Sequence, residues 1–519
     1  MTNEEPGGPE KAVHGTLRAT LIAAAVVVGL STFYAAPKLA ERVVGFRTTD
    51  NANAVAGPQA TGSPATGPIS DAQEQNKVSS GGKGTDAAGN AVPAGLNCTG
   101  NNGGRTDVGV DAGNVYLAGT EVQSGIGASF LGPVHYGIQA VLQKVNRQGG
   151  VCGRQVHLTL KDDIWKPDLG KQFIDNFIQS NQYFALAVVP SSNGLDAASQ
   201  GLDIDHAQDP AHDGSGIPVI GTDGMLNSQY ADPWIWPVAA STATSMRIMA
   251  HNAQAQWHTR YPGKPLTMGI IYDQNYPFGP EGAGAFVAQA KRDGVSVPGA
   301  CQVPLTAGAS DYGTLTKDFN DACGEGSGHP VGFVALLLEP QTAETWLRGT
   351  PYLGTPSNGQ GLGFAGPQPL FDKNFGDRCG DTCQNMQVWT SFYPPVYPFS
   401  GQSPVQTFKQ DLCQVDNNCD VDSQSAFTES GYVGMELVVK ALTDTSPYLT
   451  RARIRQGLDS MSFDDGVTAT LVWKQGYHYA NQSMVAFVDK YAGGAATFDF
   501  VPGSQQTDPC PGCKDAKLG

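Results

Sequence analysis

Two adjacent serines are the first residues whose type and place can do chemistry. In "PSSNGLDAAS", Ser191 and Ser192 follow the apolar run "ALAVVP" and open a helical pattern. A strand end feeding a helix start leaves backbone N–H groups without partners, at the positive end of the helix dipole. Hydroxyls there suit an anion or a carbonyl, or act as a plain N-cap. Thr222 in "IPVIGTDG" ends the next strand-like run and adds a hydroxyl, or serves as a turn residue.

Other candidate groups point less clearly. "GLDIDHAQDPAHDG" sets Asp203, Asp205, Asp209 and Asp213 among His206 and His212. Alternating acids can hold calcium and histidines zinc, but the spacing completes no ligand motif, so a solvated insertion is the simpler reading. The sequence has no complete G-x-S-x-G, H-E-x-x-H or Walker loop. Gly125 and Gly127 approach a dinucleotide fingerprint, but Phe130 stands where its third glycine is required. The neighbouring acids Asp464 and Asp465 precede a strand and read as turn-shaping rather than acid–base groups. These patterns predict no enzyme, no cofactor and no metal.

Position in the cell follows from other residues. The run "ATLIAAAVVVGLSTFYAAP" between Arg18 and Lys38 is as long as a bilayer core requires. A secretory signal remains the rival, with Ala36 as its small residue, but Pro37 would follow that cleavage site awkwardly. Either reading exports the rest of the chain. The ten cysteines agree, because an even count in an exported chain points to disulfides. Pairing in sequence order would join Cys98 to Cys152, Cys301 to Cys323, Cys379 to Cys383, Cys413 to Cys419, and Cys510 to Cys513. Zinc on Cys379, Cys383, Cys413 and Cys419 is the alternative, disfavoured by an oxidising compartment. A net charge of −16 repels phosphate backbones, so no nucleic-acid partner is expected.

The elements that must position these residues come from periodicity. "NVYLAGTEV" reads as a strand, and Val134, Ile138, Val141, Leu142 and Val145 recur at helical spacing before Gly149 and Gly150. Val156, Leu158 and Leu160 then alternate with polar residues up to Asp162 and Asp163. Leu169, Phe173, Phe177 and Ile178 make a second helical face before "ALAVVP". The alternation restarts with "LTMGIIYD", "VSVPGAC", "VGFVALLLE" and "LGFAG". "ESGYVGMELVVKALTD" is a long amphipathic helix, and "TATLVWKQG" with "SMVAFVDK" reads as a hairpin around Lys-Gln-Gly. Strands alternating with helices predict α/β architecture: two lobes with parallel sheets, preceded by a membrane helix and a linker.

From Gly119 to Asp163 the sequence resembles the opening of class I periplasmic solute-binding proteins of ABC transporters, of the branched-chain-amino-acid-binding type. The shared pattern is a strand, a Gly/Ser loop, a helix ending in Asn, a Gly-Gly-x-x-Gly turn, and a strand ending in acids. The similarity continues through "VVPSSNGLDAAS", "IPVIGTDG" and "IIYDQNYPFGPEGAGAF", covering roughly residues 105–490. It implies two Rossmann-like lobes closing on a ligand at their strand ends. Ser191, Ser192 and Thr222 would hold a carboxylate, while Phe130 and Tyr276 would face each other across the cleft. The chain departs from the pattern where such proteins hold an ammonium with a tyrosine and an acid. Here Glu339 stands without a tyrosine, and can instead cap a helix; Gln368 stands where an acid is expected.

The expected organisation is therefore residues 1–18 inside the cell, 19–37 as anchor or signal, and 38–104 as flexible linker. Lobe 1 would comprise 105–240 and 392–460, lobe 2 would comprise 241–391 and 461–500, and 501–519 would form a tail. The expected function is capture of a small polar ligand, an amino acid, amide or relative, for an ABC permease at the outer face of the cytoplasmic membrane. An anchored sensor and an extracellular hydrolase on the same lobes are the alternatives.

Overall fold

The computed structural model describes residues 95–191, 193–196, 216–349, 361–474, 478 and 482–518. All of them fall within one compact unit. Ser192, the Asp203–Asp213 stretch and the apolar run 19–37 lie outside them. Among the described residues no helix is long and apolar enough to cross a membrane.

The first sheet grows from β1 (Asn114–Glu121), whose inward residues are buried. A helix, α1 (Val134–Arg147), follows and buries Val134, Ile138 and Val141. It ends where predicted, and Gly150 there cannot be replaced. Its φ is +75°, and a Cβ would lie 1.9 Å from the Arg154 carbonyl oxygen. β2 (Gln155–Asp162) then pairs in parallel with β1 along its whole length, Asn114 opposite Gln155 and Glu121 opposite Asp162. After α2 (Pro167–Ser180) come β3 (Ala185–Ala187), β4 (Val219–Thr222) and β5 (Ile235–Pro237). The strand order is β2-β1-β3-β4-β5, parallel throughout.

The chain leaves this lobe through α3 (Thr242–Arg260), a largely buried helix that the sequence pattern did not single out. The second lobe carries β6 (Met268–Asp273), α4 (Phe278–Arg292), β7 (Gln302–Leu305), β8 (Phe333–Leu337), α5 (Pro340–Gly349), β9 (Gly363–Gly366) and β10 (Gln387–Thr390). "VSVPGAC" only leads into this sheet; its strand β7 begins one residue later. The chain then returns to the first lobe as α6 (Ala426–Thr445), packed against α1 and β4. Glycines allow that approach: a Cβ on Gly137 would lie 2.1 Å from the Thr428 carbonyl oxygen, and one on Gly434 would lie 2.3 Å from that of Gly221.

The predicted hairpin forms differently. "TATLVWKQG" contributes β12 (Leu471–Val472), which pairs with β11 (Ser462–Phe463) in a separate ribbon. The true hairpin partner of β13 (Ser483–Ala492) is β14 (Ala495–Phe500), through Gly493 and Gly494, both at positive φ. A Gly-Gly turn fits the right-handed twist of a hairpin better than Lys-Gln-Gly. β13 also pairs antiparallel with β10, giving the order β14-β13-β10-β9-β8-β6-β7.

All ten cysteines pair in sequence order. The four thiols considered for zinc form two separate disulfides. Cys98–Cys152 ties the segment before β1 to the turn before β2, because neighbouring parallel strands start on one edge. The residues after β14 dock onto the second lobe. Asp508 receives Arg247 Nε at 2.8 Å, and Leu518 N–H donates to the Pro280 carbonyl.

Candidate functional site

Both sheets point the carboxyl ends of their parallel strands at one cavity, the place where open α/β sheets bind ligands. From the first lobe it is lined by Phe130 and Leu131 beyond β1, Trp165 beyond β2, Pro190 beyond β3, and Asp223 to Met225 beyond β4. Phe427, at the start of α6, closes that side. Thr242 and Ser245 come from the first turn of α3. The second lobe supplies Phe278 beyond β6, Leu337 to Glu339 at the end of β8, and Pro367 to Pro369 beyond β9. The cavity volume is about 30 Å³, room for water rather than for an organic ligand, so the lobes stand closed on each other.

A series of rings crosses the cleft. Phe427 lies 5.5 Å from Phe130, which meets Trp165 edge-on at 5.2 Å. Trp165 in turn lies 4.6 Å from Tyr276 of the second lobe, and Tyr276 stacks with Phe278 at 5.9 Å. Trp165 reaches this position through a left-handed backbone, φ +60°, held by its N–H donating to Asp163 Oδ1 at 2.9 Å. Burial pushes the Asp163 carboxyl up to about 6, opposed by the Trp165 N–H and by the neighbouring hydroxyls of Thr120 and Ser191.

A polar bridge also joins the lobes. Gln368 Nε2 donates to Asp223 Oδ1 at 2.6 Å, and Ser430 Oγ donates to the same oxygen at 3.2 Å. Asp223 is buried, and burial pushes its carboxyl up to about 7 despite both donors.

The structure sorts the predicted site residues. Phe130, Glu339 and Gln368 line the cavity. Tyr276 is one ring removed from its lining, packed at a tilt against Trp165. Ser191 is buried, with its hydroxyl beside Asp163 rather than in the described lining. The Thr222 hydroxyl donates to the Val189 carbonyl at 2.6 Å, joining the ends of β3 and β4. Glu339 accepts from Gln341 N–H and Thr342 N–H, each at 2.7 Å, and from the Thr342 hydroxyl. It therefore caps α5 while touching the cavity, and burial raises its carboxyl above the usual range.

Sequence reasoning missed Asp223, Trp165, Phe278 and Phe427. The first three stand within three residues or so of a parallel strand's carboxyl end or open the next helix, and reading those positions systematically would have found them. The wall is mostly apolar, whereas a small polar ligand was expected.

The sequence profile of a family described as periplasmic binding protein matches residues 115–493. No curated protein matches the chain. Among solved structures, a fatty acid ABC transporter substrate-binding protein from Thermomonospora curvata superposes with TM-score 0.61 at 15% identity, covering 78% of this chain and 96% of its own. A solute-binding protein of an ABC transporter from R. palustris, solved with 4-hydroxybenzoate, gives TM-score 0.60 at 14% identity, covering 77% and 97%. A possible leucine/isoleucine/valine-binding protein from Rhodopirellula baltica gives 0.59 at 16%, covering 76% and 97%. At these identities the likeness is one of fold.

Proposed function

The chain belongs to the periplasmic binding protein family, and from that premise we propose that it captures a small molecule between its lobes for an ABC-type importer. The observation that carries this reading is a cavity bounded by strand ends of both sheets and spanned by the Gln368–Asp223 bridge. Closing a hinged pair of lobes on a guest buries the guest's apolar surface and completes contacts from both sides. The ring series favours a guest with an apolar body and one polar head. Relatives of the same fold include a fatty-acid and a 4-hydroxybenzoate binder, so an apolar guest has precedent in the fold.

The protein would act outside the cytoplasmic membrane, residues 19–37 tethering it and 38–104 giving it reach. Five disulfides suit that compartment. No reaction is assigned to the cleft.

Native mass spectrometry of the full chain in detergent, followed by a thermal-shift screen of small metabolites, tests the proposal. A retained small molecule, or a melting temperature that climbs with ligand concentration, is the expected result. A broad screen with no response, and no change in radius of gyration under any ligand, would remove the solute-binding reading.

A further inference from the structure

Asp223 uses only one of its two oxygens. Gln368 and Ser430 both donate to Oδ1, and among the described residues no hydrogen bond reaches Oδ2. The residue is 4% exposed, and it stands in the cavity wall. The other acid of the wall, Glu339, is taken up by the N–H groups of Gln341 and Thr342. Among the described residues that line the cavity there is no lysine, arginine or histidine. The rest of the cavity wall is mostly apolar and aromatic, with Phe130, Trp165, Phe278 and Phe427 as its rings.

We propose that the cleft binds a small organic cation, an ammonium carried on an apolar body, with Asp223 as its counter-ion. This rests on the solute-binding reading above and deepens it. An ammonium on Oδ2 would supply the donor that this oxygen lacks and neutralise a carboxylate held away from water, where charge–charge attraction is strongest. Ring faces attract cations as well as apolar surface, so the same wall serves both parts of the guest. A carboxylate guest would meet the opposite conditions, with a second negative charge beside Asp223 and no described cation to offset it. A carboxylate of the 4-hydroxybenzoate kind should therefore be excluded, although a protein of the same fold binds it.

Three isosteres test the charge rule on the full chain in detergent: 3-phenylpropylamine, 3-phenylpropionamide and 3-phenylpropionate. Thermal shift and titration calorimetry should show the amine binding about tenfold or more tighter than the amide, as expected for a charge-assisted hydrogen bond, with no response to the carboxylate. Asp223→Asn should bring amine and amide to similar affinity. Gln368→Lys keeps Asp223 and places a built-in ammonium against it. That variant should fold like the parent and lose amine binding. Equal or tighter binding of the carboxylate, an amine preference that survives Asp223→Asn, or silence from the amine would each overturn the proposal. The native mass spectrum judges the parent reading separately: an anionic guest retained there would keep the solute receptor and end its cationic preference.

Discussion

Removing Arg247 should unfasten the end of the chain from the helix that forms part of the cavity wall. Arg247 sits on α3, two residues past Ser245, and its side chain is 0% exposed. Its Nε and Nη2 reach Asp508 at 2.8 and 2.5 Å, and Nη1 reaches Asp515 at 3.0 Å. Arg247→Ala leaves Asp508 almost dry, with the Thr244 hydroxyl and the Cys510 N–H as its remaining donors among the described residues. Asp515 fares better, because Arg292 also holds it. One uncompensated buried carboxylate rather than two puts the loss near the low end of the range for breaking a buried pair, about 3 kcal/mol. With a urea slope of about 2–3 kcal/mol/M, the unfolding midpoint should fall by about 1 M. Tryptophan fluorescence in urea measures this, and limited proteolysis should cut first within residues 501–518. The triple variant Arg247→Met, Asp508→Asn, Asp515→Asn removes all three charges together and should recover most of the loss. A midpoint within about 0.2 M of the parent for Arg247→Ala would refute the reasoning, since it would give the pair only the worth of a surface contact.

Three further outcomes follow from the same geometry. The folded pKa of Asp223, about 7, lies above its unfolded value, so the folded state binds more protons across that interval. Stability is therefore fully present below about pH 4 and lost as pH rises through about 7; urea midpoints should be lower at pH 8 than at pH 5, with Asp223→Asn shrinking the drop, and a flat profile would count against it. Gln368→Ala removes the interlobe donor to a carboxylate, worth about 1.5–3 kcal/mol, and should favour open lobes. Small-angle scattering should then report a larger radius of gyration in the absence of ligand, and an unchanged one would show that the bridge is no latch. Gly434→Ala should cost about 1–3 kcal/mol in denaturant unfolding, because the new methyl forces α6 off β4 at Gly221.

Much of the fold was readable in advance because burial imposes periodicity. The apolar spacing of Val134, Ile138 and Val141 is what a helix against a sheet needs, and the structure buries all three. Cys98 and Cys152 were readable as a pair because parallel neighbours begin on the same edge. α3 went unread since it is buried nearly all round and shows no polar face to mark its period. The hairpin was misplaced because a strand's partner depends on which apolar faces meet, which the Lys-Gln-Gly turn signal does not report.

The site divides the same way. Local sequence determined that Glu339 could cap a helix, because the cap and the N–H groups it receives lie within three residues. It also pointed to disulfides, through an even set of cysteines that the fold joins in sequence order. Only the tertiary structure decided that Thr222 would face Val189 and that Gln368 would meet Asp223, 145 residues earlier in the chain. Side chains that far apart are joined by the closure of two lobes, and no spacing in the sequence encodes the angle at which those lobes meet.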